Sequence, residues 1–197
     1  MNKILFATRN EGKMKEIKLI LSDLNIPVQS LTDANIDIEI VENGNTFKEN
    51  AIIKAKAVAK VSNCVVLADD SGLEVDYLNK EPGIYSARYM GEETSYTIKN
   101  ASIINRLEKV PMENRTARFV CEIAAVLPSG LILTSRGTME GYIGYEERGE
   151  RGFGYDPIFC VPEFNCTSAE LTIEQKNKIS HRGKALRLIK KELMKAL

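Results

Sequence analysis

Apolar residues recur along this chain with two different periods. Residues 4–7 (Ile-Leu-Phe-Ala) form a continuous apolar run of the length of a buried strand. Over 13–24, Met14, Ile17, Leu21 and Leu24 fall on one side of a 3.6-residue repeat with Ile20 beside them. Lys15, Glu16 and Lys18 fall outside it, so the spacing predicts an amphipathic helix. Residues 27–31 predict a second strand, and 33–45 read as an acidic, loop-rich stretch. Thr46 followed by Glu49 predicts a capping box, opening a helix whose core side runs Phe47, Ala51, Ala55, Val58 and Ala59. Residues 64–68 are apolar and run into Asp69-Asp70-Ser71-Gly72, which predicts a buried strand closed by a polar turn. Residues 73–78 read as a further strand, and Glu81-Pro82-Gly83 starts an irregular loop.

The second half continues the alternation. Residues 95–110 predict a helix with Ile98, Ala101, Ile104 and Leu107 or Val110 turned to the core. Residues 116–127 predict a long strand, Pro128-Ser129-Gly130 its turn, and 131–138 the returning arm of a hairpin. Glycine and charge dominate 137–154, which reads as a mobile loop, and 158–161 predict one more strand. Thr172 and Gln175 again fit a capping box, and Ser180 is placed to cap a last helix with the stripe Ala185, Leu188, Ile189 and Leu193. Strands alternating with helices, plus one hairpin, give the fold class: α/β, a mixed twisted β-sheet flanked by helices. With no repeat or linker in sight, residues 1–197 read as one domain.

Composition narrows the partners. At 44% hydrophobic and 27% charged residues, the chain has the balance of a soluble globular protein. Its 27 Lys and Arg are matched by 27 Asp and Glu, so no global field draws it to nucleic acid or a membrane. Any polyanion must be gripped by a local cluster, which points to a small ligand. No apolar run reaches the length of a membrane span or a signal segment. Cys64, Cys121, Cys160 and Cys166 show no CxxC spacing, and one histidine leaves too few soft ligands for zinc. Free thiols in a reducing cytoplasm are expected.

Five places carry candidate chemistry. Thr8-Arg9-Asn10-Glu11-Gly12-Lys13 joins a strand to a helix, where free N–H groups and the helix dipole attract phosphate and Lys13 adds a charge. The spacing approaches a P-loop, but Ala7 replaces the first glycine and Met14 the magnesium-binding hydroxyl, so a plain turn with Asn10 as N-cap stands equally open. Asp69 and Asp70 follow a fully apolar strand, where buried carboxylates are costly unless paired or metal-bound, and in an extended segment they point to opposite faces. Glu42 by itself is a loop carboxylate, and Lys54 sits on a lysine-bearing helix whose default is a solvated face. Glycines around two aromatics in Gly152-Phe153-Gly154-Tyr155-Asp156-Pro157 let a flat ring approach closely, and stacking is worth roughly 1–3 kcal/mol per base. Lys176 with Ser180-His181-Arg182 offers donors suited to carbonyl or phosphate oxygens, against the plain reading of a helix start.

Seven blocks, in order, resemble the inosine triphosphate pyrophosphatase family, the non-canonical purine nucleoside triphosphate pyrophosphatases. They are Ala7-Thr8-Arg9-Asn10-Glu11-Gly12-Lys13, Thr46-Phe47-Lys48-Glu49-Asn50-Ala51, Ala68-Asp69-Asp70-Ser71-Gly72-Leu73 and Pro82-Gly83-Ile84-Tyr85-Ser86-Ala87-Arg88-Tyr89, then Gly152-Phe153-Gly154-Tyr155-Asp156-Pro157, Ala169-Glu170-Leu171-Thr172, and Lys176 with Ser180-His181-Arg182-Gly183. The resemblance implies a homodimer of two-lobed subunits with the active site in the cleft between the lobes. It implies magnesium-dependent hydrolysis of ITP, dITP and XTP to the monophosphate and pyrophosphate, cleansing the nucleotide pool.

On that resemblance the triphosphate lies on Thr8, Arg9, Asn10, Glu11, Gly12 and Lys13 with Lys54 adding charge. Glu42 and Asp70 hold Mg2+, Asp70 activates water with Asp69 as the alternative, and Ser71 fixes the loop or touches substrate. The base stacks on Phe153, among Gly154, Tyr155, Asp156, Lys176, Ser180, His181 and Arg182. A donor such as Arg182 favours the C6 oxygen of hypoxanthine and xanthine and is left unpaired by adenine. Rival readings are a Maf-type pyrophosphatase acting on modified pyrimidines, a noncatalytic nucleotide sensor, and a nucleic-acid-binding module. The 153–156 and 180–182 blocks, the full acidic set and the zero net charge disfavour them in turn.

Overall fold

A computed structural model describes residues 3–196. Its strands are β1 (Ile4–Phe6), β2 (Val28–Ser30), β3 (Val65–Val75), β4 (Thr116–Val126), β5 (Ile132–Ile143), β6 (Phe159–Val161) and β7 (Cys166–Thr167). Its helices are α1 (Glu11–Leu21), α2 (Phe47–Ala59), α3 (Tyr96–Arg106), α4 (Ile173–Ile179) and α5 (His181–Ala196), with short 3-10 turns between. The strands form one sheet in the order β2-β1-β3-β4-β5-β6-β7. β1 pairs parallel with both β2 and β3, whereas β6 pairs antiparallel with β5 and β7, so the sheet is mixed and the α/β class holds.

The chain divides into two compact units. The first runs up to Asp70, takes in Cys121–Gly137 and resumes from His181. β1 and the opening of β3 are buried on both faces, which is why they read as unbroken apolar runs. Ile4, Phe6, Val65, Leu67, Cys121 and Ile123 pack with Met14, Ile17 and Leu21 of α1 and Ala185, Leu186, Ile189 and Leu193 of α5. The alternate residues Leu5, Ala7, Val66, Ala68, Ala124 and Val126 pack with Ala51, Ala55 and Val58 of α2. The second unit comprises Ser71–Val120 and Thr138–Ser180. Leu73, Val75, Ile103, Leu107, Phe119, Met139, Ile143, Tyr155, Ile158 and Phe159 form its core, with the Phe119 and Phe159 rings 4.4 Å apart.

Several expectations are corrected. Asp69-Asp70-Ser71-Gly72 is no turn: β3 runs straight through it to Val75. Both carboxylates are satisfied by cationic partners, so the chain need not break out to water there. α1 begins at Glu11, earlier than the apolar repeat, because the Asn10 side chain caps the Lys13 amide. The box at Thr46 forms by half: Thr46 accepts from the Glu49 amide, but the Glu49 carboxylate accepts from the Asn45 amide instead. The box at Thr172 and Gln175 forms in full.

The buried face of α3 and its end is in part the expected one, with Leu107 and Val110 buried and Ile104 packed against the core, and in part rotated. Ile98 is 53% exposed and Ala101 is exposed, while Lys99, Asn100 and Ile103 are buried. Polar bonds made by Lys99 and Asn100 outweigh the apolar repeat. On α5, Leu186 is buried and Leu188 exposed. β5 continues to Ile143, into the stretch expected to be loop. Among the described residues all four cysteines are free, Cys121 and Cys160 buried and Cys64 and Cys166 half-buried. No helix among them is long and apolar enough to cross a membrane.

Candidate active site

The alternation along β3 decides what its two acidic residues face. Asp69 continues the parity of Val65 and Leu67, toward α1 and α5; Asp70 continues that of Val66 and Ala68, toward α2. Asp69, 2% exposed, accepts from Lys13 Nζ at 3.2 and 3.0 Å and from Arg182 Nε and Nη2 at 3.4 and 3.5 Å. Arg182 Nη1 also donates to Glu16 Oε2 at 2.7 Å. Burial would raise the Asp69 pKa, but the charges of Lys13, Arg182 and Lys54 outweigh it and hold the carboxyl well below the ordinary range. It stays ionised.

Asp70, 8% exposed, sits in a different field. Lys54 Nζ donates to its Oδ1 at 3.3 Å and Asn50 Nδ2 to its Oδ2 at 3.2 Å. The same ammonium donates to Glu42 Oε2 at 3.0 Å. Burial raises the Asp70 pKa, the charges of Glu42 and Asp69 add to that, and Lys54 and Asn50 only partly offset them. Lys54 is buried too, yet the charges of Asp70, Asp69 and Glu42 outweigh its desolvation and raise its pKa, so it remains an ammonium. Glu42 and Asp70 thus share one cation, while Asp69 draws on two, one of them shared with Glu16.

The α1 side of the site follows from its cap. Thr8 Oγ1 accepts from the Asn10 amide at 3.1 Å, and Asn10 Oδ1 from the Lys13 amide at 3.0 Å. Arg9 reaches Asp37 at 2.6 Å and the Ile38 carbonyl at 3.4 Å. Glu11 and Gly12 form the exposed first turn of α1. Thr8, Arg9, Lys13, Glu42, Lys54 and Asp69, with apolar Ala7, Leu31, Ile38 and Ile40, line a cavity of about 280 Å³. That is room for a short phosphate chain, below the usual size of a whole-nucleotide pocket. Asn50 was not singled out in the sequence; its amide oxygen accepts from the Gly44 amide at 2.8 Å and so ties the Glu42 loop to α2. The available signal was an asparagine on the apolar stripe of α2, one turn before Lys54. Glu16, three residues after Lys13 on α1, left a similar trace.

The second unit holds the aromatic cluster. The Phe153 ring is 38% exposed, with Lys176 Nζ 5.2 Å from its centroid. Asp156 accepts from Lys176 Nζ at 2.6 Å, from the Phe153 amide at 2.8 Å and from Ser168 Oγ at 2.8 Å. Gly152 has φ +78°, and a Cβ there would lie 2.2 Å from Asp156 Oδ2, so only glycine lets this carboxylate approach. Tyr155 turns inward: its hydroxyl donates to the Ser86 carbonyl at 2.8 Å and its ring meets Tyr96 edge-on at 5.3 Å. Ser71 lies half-buried on β3, and Ser180 is buried between α4 and α5. His181 and Arg182 open α5 in the first unit, both buried. The structure therefore gathers Thr8, Arg9, Lys13, Glu42, Lys54, Asp69, Asp70 and Arg182 in one unit, and Phe153, Gly154, Asp156 and Lys176 in the other.

Comparison with known proteins gives a consistent result. A family model described as the Ham1 family matches residues 4–192. A dITP/XTP pyrophosphatase of Exiguobacterium sibiricum is 50% identical over 191 residues, covering 97% of this chain and 96% of that protein. A dITP/XTP pyrophosphatase of Bacillus subtilis is 49% identical over 193 residues, covering 98% of each. The structure of the Staphylococcus aureus Ham1 protein superposes with a TM-score of 0.88 at 43% identity, covering 100% of both chains.

Proposed function

The chain belongs to the Ham1 family, and from that premise we propose that it is a nucleoside triphosphate pyrophosphatase acting on dITP, XTP and ITP. Water attacks the α-phosphorus, the bond to the β-phosphate bridge breaks, and the products are the nucleoside monophosphate, pyrophosphate and a proton. The observation that carries this reading is the division of labour between adjacent carboxylates. Asp69 is locked between Lys13 and Arg182, and Asp70 shares Lys54 with Glu42.

The donor set fits magnesium. Glu42 and Asp70 are hard oxygen ligands with one shared positive charge between them, which leaves a negative excess for a cation. No group of three or more acidic, His or Cys side chains among the described residues is arranged to hold a metal, so Glu42 and Asp70 would hold it together with substrate phosphate oxygens and water. Magnesium so held would neutralise phosphate charge and lower the pKa of an attacking water.

Lys13 and Lys54 neutralise the phosphate chain in the 280 Å³ cavity, beside the Thr8–Asn10 turn. Asp70, held by Lys54 and Asn50, takes the proton of the attacking water. Asp69 holds Lys13 and Arg182 in place and does not itself exchange a proton. Phe153 is the face on which the purine stacks, with Lys176 and Asp156 beside it. Ser180, His181 and Arg182 supply donors toward the ring oxygens. The whole chain acts as one catalytic domain, a cytoplasmic homodimer working on free nucleotides. Four free thiols fit a reducing compartment.

Pyrophosphate release measured with magnesium over ITP, dITP, XTP, GTP, ATP and dUTP tests the reading. Release from ITP, dITP and XTP far above GTP and ATP, with one monophosphate per pyrophosphate, is expected. Equal rates across the panel refute the specificity, and orthophosphate as the product refutes the reaction.

A further inference from the structure

The inward face of α3 carries an amide where the apolar spacing calls for an aliphatic side chain. Asn100 is 1% exposed. Its Nδ2 donates to Glu147 Oε1 at 2.6 Å and to the Gly154 carbonyl oxygen at 3.3 Å. An ionised carboxylate and a carbonyl only accept, which fixes the nitrogen on that side and the oxygen on the other. Asn100 Oδ1 is buried and has no hydrogen-bond partner among the described residues. An unpaired buried acceptor disfavours folding, and a leucine at this position would avoid it. The amide is thus a poor choice for stability alone, and its value lies in what the two donated bonds hold.

They hold the two arms of one loop. β5 ends at Ile143 and β6 opens at Phe159. Glu147 lies on the outgoing arm, and Gly154 on the returning arm, directly after Phe153. Gly154 has φ +69°, and Tyr96, one turn before Asn100 on α3, lies 3.5 Å from where its Cβ would be. The Phe153 amide is tied separately to Asp156. Phe153 is therefore an exposed aromatic on a segment anchored on either side.

We propose that Asn100 is a positioning residue of the purine subsite. Through Glu147 and the Gly154 carbonyl it sets the height and tilt of the Phe153 ring. The inference rests on the reading of Phe153 as the stacking face. Asn100 acts through the loop and not on the nucleotide. Replacing it strands no deeply buried group, because Glu147 is exposed and Gly154 half-exposed, so water takes over both acceptors.

Steady-state kinetics on ITP with magnesium, run beside thermal melts, test it. Asn100→Leu is expected to raise KM about tenfold, the loss of a well-placed charged hydrogen bond, and to keep kcat within about twofold. Its Tm stays equal or rises. Inhibition by inorganic tripolyphosphate, which has no ring, is unchanged. Phe153→Ala in parallel checks the parent reading. A raised KM there with an unchanged KM in Asn100→Leu overturns the positioning role alone; an unchanged KM in Phe153→Ala overturns both. A lower Tm with kcat and tripolyphosphate inhibition falling together identifies a purely structural residue and overturns the proposal. If Asn100→Leu does not fold, Glu147→Ala decides: raised KM at kept kcat supports the role, and unchanged KM overturns it.

Discussion

Lys54 Nζ lies 3.0 Å from Glu42 Oε2 and 3.3 Å from Asp70 Oδ1, so a single buried ammonium is divided between two carboxylates. The arrangement joins a loop, a helix and a strand through one proton-rich point. Its weakness is that neither carboxylate is fully neutralised, and its use is that a second cation is welcome.

Lys54→Met leaves Glu42 and Asp70 facing each other without their shared charge. Removing one member of a buried ionic group is strongly destabilising, and Glu42 is partly solvated, so a loss of about 2 kcal/mol is expected. Urea denaturation at neutral pH reads it. A loss below about 0.5 kcal/mol would mean the three groups are not coupled in solution.

The two aspartates respond oppositely to the same change. Asp69→Asn takes the counter-charge from half-buried Lys13 and leaves buried Arg182 with Glu16 alone, and is expected to cost about 3 kcal/mol of stability. Asp70→Asn removes a carboxylate that burial already penalises, so stability holds or rises, while turnover falls about a thousandfold with the loss of the base. Denaturation and pyrophosphate release on both variants check the pair. Equal stability losses would refute the division.

Gly152→Ala and Gly154→Ala separate strain from collision. Both glycines have positive φ, and either alanine costs about 1 kcal/mol in backbone strain. Only at Gly152 does the new methyl run into Asp156, 2.2 Å from Oδ2, which pushes that carboxylate off Lys176 and the Phe153 amide. Gly152→Ala is expected to raise KM for ITP at least several-fold more than Gly154→Ala. Kinetics giving the same KM for both would show that the Asp156 cluster does not shape the ring subsite.

Acid sensitivity has an identifiable contributor in the second unit. Burial would raise the Asp76 pKa, but hydrogen bonds from Lys80, Thr116 and Arg118 outweigh it and bring it down to about 2. A carboxyl depressed in the folded state stabilises above its unfolded value, and that contribution fades as pH falls through the folded one. The Tm gap between the wild type and Asp76→Asn is therefore expected to be full at pH 6 and to close between about pH 4 and pH 2. A constant gap across that range would remove Asp76 from the account.

Much of this was legible in the residue string. The continuous apolar runs at 4–7 and 64–68 announced buried strands, and the spacing of Met14, Ile17 and Leu21 announced α1. The acidic pair was legible as chemistry but not as geometry. Four polar residues in a row read as a turn, and only the distant partners Lys13, Arg182, Lys54 and Asn50 make a straight strand possible there. Long-range pairing leaves no local trace. The same cause misplaced the face of α3: Lys99 donates to the Ala87 carbonyl at 2.7 Å and Asn100 reaches 47 and 54 residues along the chain. Phe153, Asp156 and Lys176 were legible as a cluster because glycines flank the aromatic. The inward turn of Tyr155 was not, since a tyrosine serves a core or a surface equally well.

The straight run of β3 through its acidic pair makes this chain intolerant of indels at one spot. A single residue gained or lost between Leu67 and Asp69 would rotate everything downstream by half a repeat, presenting the proton acceptor to Lys13 and Arg182 and the anchor to Lys54. Neither partner set could repair the swap by moving a side chain. A change of length at this point in β3 would be lethal to turnover.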